Sequence, residues 1–224
     1  MKNNLNRRHF IKTAATGALG LSAASSAFSF NILSQYPLKD KYRVAVIGVN
    51  SRGSQHIQAF AKIPNVEIAY ICDVDSRARE NGIALALKEG VKTAPTGLVD
   101  FRKALEDKTL DAVSIAMPDF WHTPASIMAL QAGKHVYLEK PGSHNPAESE
   151  LLVEATKKYG KIVQMGNQRR SWPRVQEAMK ELHSGAIGKA YYARAWYTNT
   201  RKSIGYGKSA AVPEWLDYEL WQGP

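Results

Sequence analysis

A mostly parallel α/β sheet, wound with helices on both faces, is the fold this sequence predicts, and three observations predict it. Short apolar runs near 43–48, 66–72, 111–116, 135–139 and 161–165, with a weaker one near 91–93, alternate with helical patterns. Those helical patterns fall near 53–62, 76–88, 100–106, 124–132 and 146–159. A glycine turn, Gly48-Val-Asn50-Ser51-Arg52-Gly53, follows the first run directly, and an acid, Asp73, closes the second run 25 residues beyond Gly48.

The first run, Val44-Ala-Val-Ile47, reads as a buried parallel strand entering a tight turn at Gly48. A helix beginning near Gly53 would turn its free N–H groups toward a pyrophosphate. Asp73 stands close to the ~20-residue offset at which an acid accepts hydrogen bonds from the adenosine ribose hydroxyls. Together these make a Rossmann-type dinucleotide fold the expectation. The fingerprint G-x-G-x-x-G would put glycine where this chain has Asn50, which tolerates positive φ but fills space next to the phosphates. A parallel α/β protein without nucleotide would also use Gly48 and Gly53, for the turn and for helix–strand packing.

Further along, Thr123-Pro124 predicts a cap followed by proline at the first helical position. Asn145-Pro146-Ala-Glu148 adds an acid at the third position, and Gly133 and Gly160 supply the matching stops. Past residue 166 the pattern changes to a helix at about 173–183, a turn at Gly185 and Gly188, and an alternating strand through 190–198. The predicted organisation is therefore a nucleotide-binding domain over 42–165, then over 166–224 the start of an α+β domain with an open antiparallel sheet.

Residues 1–29 carry Lys2, Arg7, Arg8 and Lys12, no acid, and a mildly apolar run rich in Ala, Ser and Gly. The order Asn6-Arg7-Arg8-His9-Phe10-Ile11-Lys12 matches a twin-arginine export signal, which predicts folding before export and a periplasmic or otherwise exported protein. A linker over 30–41 follows. The serine-interrupted apolar run is a poor membrane anchor. Of the formal charge of +10, residues 1–29 hold four positive charges, so +6 remains, scattered without the arginine–aromatic interleaving of a nucleic-acid surface. Cys72 is the single cysteine, which rules out an intrachain disulfide. No paired His, Cys or carboxylate cluster shows metal-ligand spacing. The roughly 195 residues after the signal suffice for one core and part of another.

Two strand ends concentrate chemistry. The run from Ser114 ends in Met117-Pro118-Asp119-Phe-Trp121-His122, and the run from His135 ends in Glu139-Lys140-Pro141. Both would lie on the carboxyl edge of the sheet, where open α/β sheets bind ligands, so Asp119, His122, Glu139 and Lys140 are candidates to converge near a nicotinamide. Lys140 is the candidate catalytic residue. Beside a positively charged nicotinamide it would give up its proton more readily, and it could then orient or deprotonate a substrate hydroxyl. His122 could equally bond backbone at a helix start, and Asp119 could merely cap that helix.

Over residues 42–224 the chain resembles the glucose–fructose oxidoreductase/inositol dehydrogenase (Gfo/Idh/MocA) family. The run Ala132-Gly-Lys-His-Val-Tyr-Leu-Glu139-Lys140-Pro141 is the most specific mark, supported by Pro118-Asp119-Phe-Trp121-His122 and Gly166-Asn-Gln168-Arg169-Arg170. Exported members with an asparagine-containing turn are especially similar. The resemblance implies a nicotinamide-dependent oxidoreductase acting on a sugar, inositol or related polyol, homo-oligomeric when complete. It implies that Lys140 assists proton transfer, that Glu139 helps hold the nicotinamide ribose, and that Gln168, Arg169 and Arg170 approach cofactor and substrate. The dinucleotide would rest on Gly48, Asn50, Ser51, Arg52, Gly53 and Asp73, with Pro118, Asp119 and His122 alongside. It also implies a Lys–Pro peptide that is often cis.

At least one of Arg169 and Arg170 is expected to be a structural ion-pair partner. Trp172, Trp196 and Tyr197 are expected in a core, with a sugar-stacking wall as the alternative. Asp73 favours NAD, while Arg77 and Arg79 lie near enough in sequence to accommodate NADP. Members of the family continue well past this endpoint into a histidine-bearing motif, so a fragment of a longer enzyme is the expectation. An NAD-dependent glycoside hydrolase of the same fold and a non-catalytic nucleotide-binding remnant are the alternative functions.

Overall fold

The computed structural model describes residues 39–198 and 200–223. The expected export signal and nearly all of the linker therefore lie outside the described residues. The rest forms a six-stranded sheet, β1 (Tyr42–Ile47), β2 (Val66–Cys72), β3 (Thr96–Leu98), β4 (Ala112–Ile115), β5 (His135–Glu139) and β6 (Val163–Gly166). All neighbouring strands pair parallel, in the order β3-β2-β1-β4-β5-β6. The order reverses between β1 and β4, and the crevice at the carboxyl ends of those two strands is where such sheets take ligands.

The two-residue repeat of a strand divides the core. Val44 and Val46 join Ile57, Ala78 and Ala86 on the face covered by α1 (Arg52–Ala61) and α2 (Ser76–Lys88). Ala45 and Ile47 join Ala125, Leu130 and Leu152 on the other face, under α4 (Asp119–Gln131) and α5 (Pro146–Tyr159). The short α3 (Arg102–Leu105) adds Ala104 and Leu105 to that side. In β2 a register shift lets Val44 pair with Ile68 and Ala45 with Tyr70. The extra residue, Ala69, returns Ile71 to the face that Ile68 occupies, so both pack under α1 and α2.

Several boundaries differ from those the sequence predicts. The weak strand expected near 91–93 is absent, because Gly90 turns left-handed at φ +93° and Val91 N–H bonds back to the Ala86 carbonyl, closing α2. The edge strand forms instead at β3, paired to β2 through Tyr70, Ile71 and Cys72. Helix α4 starts at Asp119, not after Thr123, with Pro118 at its cap position. Pro124 thus lies inside the helix, where it withholds one N–H, and Thr123 is buried rather than capping. The strand expected over 190–198 does not form at the described positions of that stretch. A lone strand has no ladder to satisfy its backbone, and among the described residues no strand pairs with this stretch.

Two caps are as the sequence predicts. Asn145 accepts the Glu148 N–H at 3.0 Å, and Gly160 closes α5 in the left-handed conformation at φ +61°. A Cβ at Gly160 would meet nothing within 4 Å, so Gly160→Ala is a test of backbone strain alone. It is expected to cost about 1 kcal/mol in a urea melt of the purified chain. The last described elements are α6 (Pro173–His183) and α7 (Tyr218–Gln222). No helix among the described residues is long and apolar enough to cross a membrane.

Candidate active site

The carboxyl edge of the sheet gathers the candidate residues from five strand ends. After β1, Gly48 takes φ +78°, and a Cβ there would stand 2.7 Å from the Met117 backbone nitrogen. At Gly53 a Cβ would stand 1.8 Å from the Gly48 carbonyl oxygen, so the first turn of α1 lies directly on the glycine turn. Ser51 sits at the cap position of α1 but makes no side-chain cap bond, and the first turn carries no acid. The Ser54 N–H is met by the Ser51 carbonyl at 3.2 Å, and the start of α1 offers the Arg52 and Gly53 N–H groups, unbonded among the described residues, with the positive end of its dipole.

Asp73, after β2, holds this loop. Its Oδ2 accepts the Val49 N–H at 2.7 Å and its Oδ1 accepts the Asp75 N–H at 3.0 Å. Each oxygen keeps a second lone pair for a ribose hydroxyl. Gly48, Asn50, Ser51, Asp73 and Pro118 line a cavity of about 520 Å³. That is within the ~300–1,000 Å³ usual for small-molecule sites. Cys72 lines it too, and burial pushes its thiol up to about 12, so it is inert packing and not a nucleophile.

A second centre lies around Glu139 at the end of β5, and its organiser, His56, is a residue that sequence reasoning missed. The Glu139 carboxylate can only accept, so His56 Nε2 carries the proton and donates to Glu139 Oε1 at 3.2 Å. His56 Nδ1 then accepts from the Ser114 hydroxyl at 2.8 Å. Gln168 Nε2 and the Lys140 N–H reach Glu139 Oε2 at 3.3 and 3.2 Å. Arg52 Nε stands 3.8 Å from Oε1. Burial alone would raise the Glu139 carboxyl, but the bonds from His56, Gln168 and Lys140 outweigh it and hold Glu139 below the usual glutamate range. Burial lowers His56 and outweighs the pull of Glu139, so the ring stays neutral. Gln168 is the one non-glycine residue with positive φ among the described residues, at +48°. Backbone strain thus sits where its amide meets Glu139.

The remaining candidates separate by role. Lys140 is exposed, and its peptide to Pro141 is cis. Among the described residues no hydrogen bond or ion pair holds its ammonium. His122 is buried, its Nε2 at 2.9 Å from the Met117 carbonyl and its Nδ1 against the Pro141 carbonyl. It ties the loop after β4 to the loop after β5. Asp119 is half exposed and meets His144 Nδ1 at 3.3 Å. Arg169 and Arg170 lie in a 3₁₀ turn, Gln168–Ser171, with both side chains exposed. The expected structural ion pair is not made by either among the described residues. Arg169 instead lies 5.4 Å over Trp172. Trp172, Trp196 and Tyr197, expected in a core, are exposed, because no described element packs over them.

Unfilled helix donors, a diol-accepting acid and an apolar cleft form a donor set that fits a dinucleotide, and the fold around them is that of an NAD-binding oxidoreductase domain. A family model described as "Oxidoreductase family, NAD-binding Rossmann fold" (GFO_IDH_MocA) matches residues 42–167, and the chain belongs to this family. A glycosyl hydrolase family 109 protein of Saccharopolyspora erythraea is 25% identical over 231 residues, 95% of this chain and 50% of that protein. One of the same description from Shewanella pealeana is 32% identical over 178 residues, 72% of this chain and 39% of that protein. Among solved structures, scyllo-inositol dehydrogenase of Lactobacillus casei with bound NAD(H) and scyllo-inositol superposes with a TM-score of 0.59. It is 23% identical, covering 66% of this chain and 42% of that one, and shows the fold. The chain spans about half the length, or less, of the curated relatives it matches.

Proposed function

We propose that the full protein moves a hydride between a carbinol carbon of a sugar, inositol or related polyol and a bound nicotinamide dinucleotide, with Lys140 handling the proton. The observation that carries this reading is Lys140 itself. Its ammonium is unpaired among the described residues, while its own N–H is fixed to the Glu139 network on the sheet edge that carries the glycine turn. NAD, when bound, supplies the hydride acceptor. In the oxidative direction Lys140 takes the substrate hydroxyl proton as the carbinol C–H bond breaks and its hydride leaves, so that a ketone remains. Glu139, pinned by His56 and Gln168, keeps the Lys140 backbone in position, and Arg169 and Arg170 are free to meet substrate oxygens. We further propose export through the twin-arginine segment, retention of the dinucleotide through the cycle, and a homo-oligomeric assembly.

A second reading is favoured by the curated relatives named glycosyl hydrolase family 109 proteins, and by a Shewanella oneidensis relative named alpha-N-acetylgalactosaminidase, 25% identical over 214 residues. In that reading the same oxidation is transient and ends in cleavage of a glycosidic bond. One assay on the full-length protein separates the two, with free polyols and aryl glycosides offered in parallel. Substrate-dependent NADH absorbance with the polyols supports the dehydrogenase. Release of the aryl group without net NADH supports the hydrolase, and neither signal from a dinucleotide-loaded protein would overturn both.

A further inference from the structure

The segment 215–221 lies beyond the dinucleotide fold in sequence, yet it forms one wall of the cavity beside Asp73. It returns to the sheet edge through an antiparallel bridge between Asp75 and Leu216. Ser76 N–H bonds the Trp215 carbonyl at 2.9 Å, and Asp217 N–H bonds the Val74 carbonyl at 3.1 Å. Its other end is fastened to α4, where Trp121 Nε1 donates to the Leu220 carbonyl at 3.0 Å and Phe120 meets Trp221 edge-on at 6.0 Å. Asp217 caps α7 by accepting the Leu220 N–H at 3.0 Å. Trp215, Leu216, Leu220 and Trp221 then face the cavity opposite Val99 and Phe101, which makes an apolar slot next to the carboxylate that would take the ribose hydroxyls.

The same segment fixes the one cation that lines the cavity among the described residues, Arg77. Arg77 makes two side-chain bonds to Asp75, at 3.1 and 2.9 Å, and its guanidinium lies 3.3 Å over the Trp215 ring. Arg79 Nη1 is engaged by the Asp73 carbonyl at 2.8 Å and does not line the cavity. Among the described residues the lining around the ribose position therefore presents Asp73, Asp75 and Asp100, with its arginine, Arg77, already neutralised and stacked, and with Arg102, behind the lining, engaged by both oxygens of Asp100. A 2′-phosphate there would meet carboxylates without a free partner.

We infer that residues 215–221 are an adenosine clasp. They cover the adenine end of the dinucleotide, slow its release, and, by holding Arg77 against Asp75 and under Trp215, make the site select NAD over NADP. The inference rests on dinucleotide binding at this cavity and not on the chemistry at Lys140. For the adenine end to leave past this wall, either the backbone bridge at Asp75 or the Trp121–Leu220 bond must open. The clasp thereby gives an exported enzyme, remote from the cytoplasmic NAD pool, a structural means of keeping its cofactor.

The test uses the full chain, freed of nucleotide, with NADH release followed by stopped-flow displacement and with NAD, NADP, ADP-ribose and nicotinamide mononucleotide titrated by calorimetry. Trp215→Ala is expected to speed NADH release by about tenfold, to weaken ADP-ribose to a similar degree, and to leave nicotinamide mononucleotide unchanged. It should also narrow the NAD-over-NADP preference, because Arg77 loses the ring stacked on it and is held by Asp75 alone. Trp121→Phe keeps the ring on Phe101 but removes the bond to Leu220, and a several-fold faster release is expected of it; this milder variant decides if Trp215→Ala does not fold. Unchanged release and unchanged preference in a folded variant would overturn the clasp alone. A wild-type chain that binds neither dinucleotide would overturn the clasp together with the assignment of the cavity.

Discussion

Lys140→Ala in the full-length protein is expected to lower turnover by about 10²- to 10⁴-fold, the usual contribution of a positioned acid or base. Affinity for NAD should stay within about threefold, since the bond from this residue to Glu139 is made by its backbone N–H and survives truncation. The structural reason to expect a clean kinetic effect is exposure. The side chain packs against no core and makes no ion pair among the described residues, so its removal leaves no cavity and no orphaned partner. Lys140→Arg sharpens the test, because a guanidinium keeps the charge but does not give up its proton. It should lose nearly as much turnover as alanine if Lys140 moves a proton, and far less if Lys140 only supplies charge. Steady-state rates on whichever member of the polyol and glycoside panel the wild type turns over give the answer, and undiminished turnover in the alanine variant would remove Lys140 from the mechanism.

What could be read from the sequence was local in origin. Gly48 and Gly53 announce themselves because the backbone has no room for a Cβ at either position, and Asp73 follows at the offset set by one helix and one strand. The strands were legible for the same reason, since apolar runs buried on both faces leave a strong pattern. The helix start at Asp119 was misread because Thr123-Pro124 is a sound cap signature that tertiary packing overrides, leaving the proline inside α4. The clasp had no local mark at all: its bridge joins Leu216 to Asp75, and only the folded chain brings them together. His56 was missed because its partners, Glu139 and Ser114, lie 83 and 58 residues away. A signal was nonetheless present. Arg52 and His56 are four apart on α1, so they share a face, and both reach Glu139 Oε1.

That shared carboxylate makes His56 the site of the second large effect. His56→Leu keeps most of the side-chain volume but strands the Ser114 hydroxyl and removes a charged hydrogen bond from a Glu139 whose side chain is only 7% exposed. A destabilisation of about 3 kcal/mol is expected in urea melts at pH 7.5, since a buried charge loses a partner. The pH dependence follows from the direction of the shifts. Both His56 and Glu139 are held below their ordinary values in the folded state, so between the folded and unfolded values the native chain binds fewer protons than the unfolded chain. Stability from each is therefore complete above its unfolded value and falls as acid is added. For His56 the loss begins below about pH 6.5, and for Glu139 below about pH 4.3. The wild type should accordingly lose stability between pH 7.5 and 5.5, and His56→Leu should lose less over that interval while both steepen together at lower pH. Equal slopes from pH 7.5 to 5.5 would mean that folding does not weaken proton binding by His56, and that burial of a neutral imidazole is not what couples this site to pH.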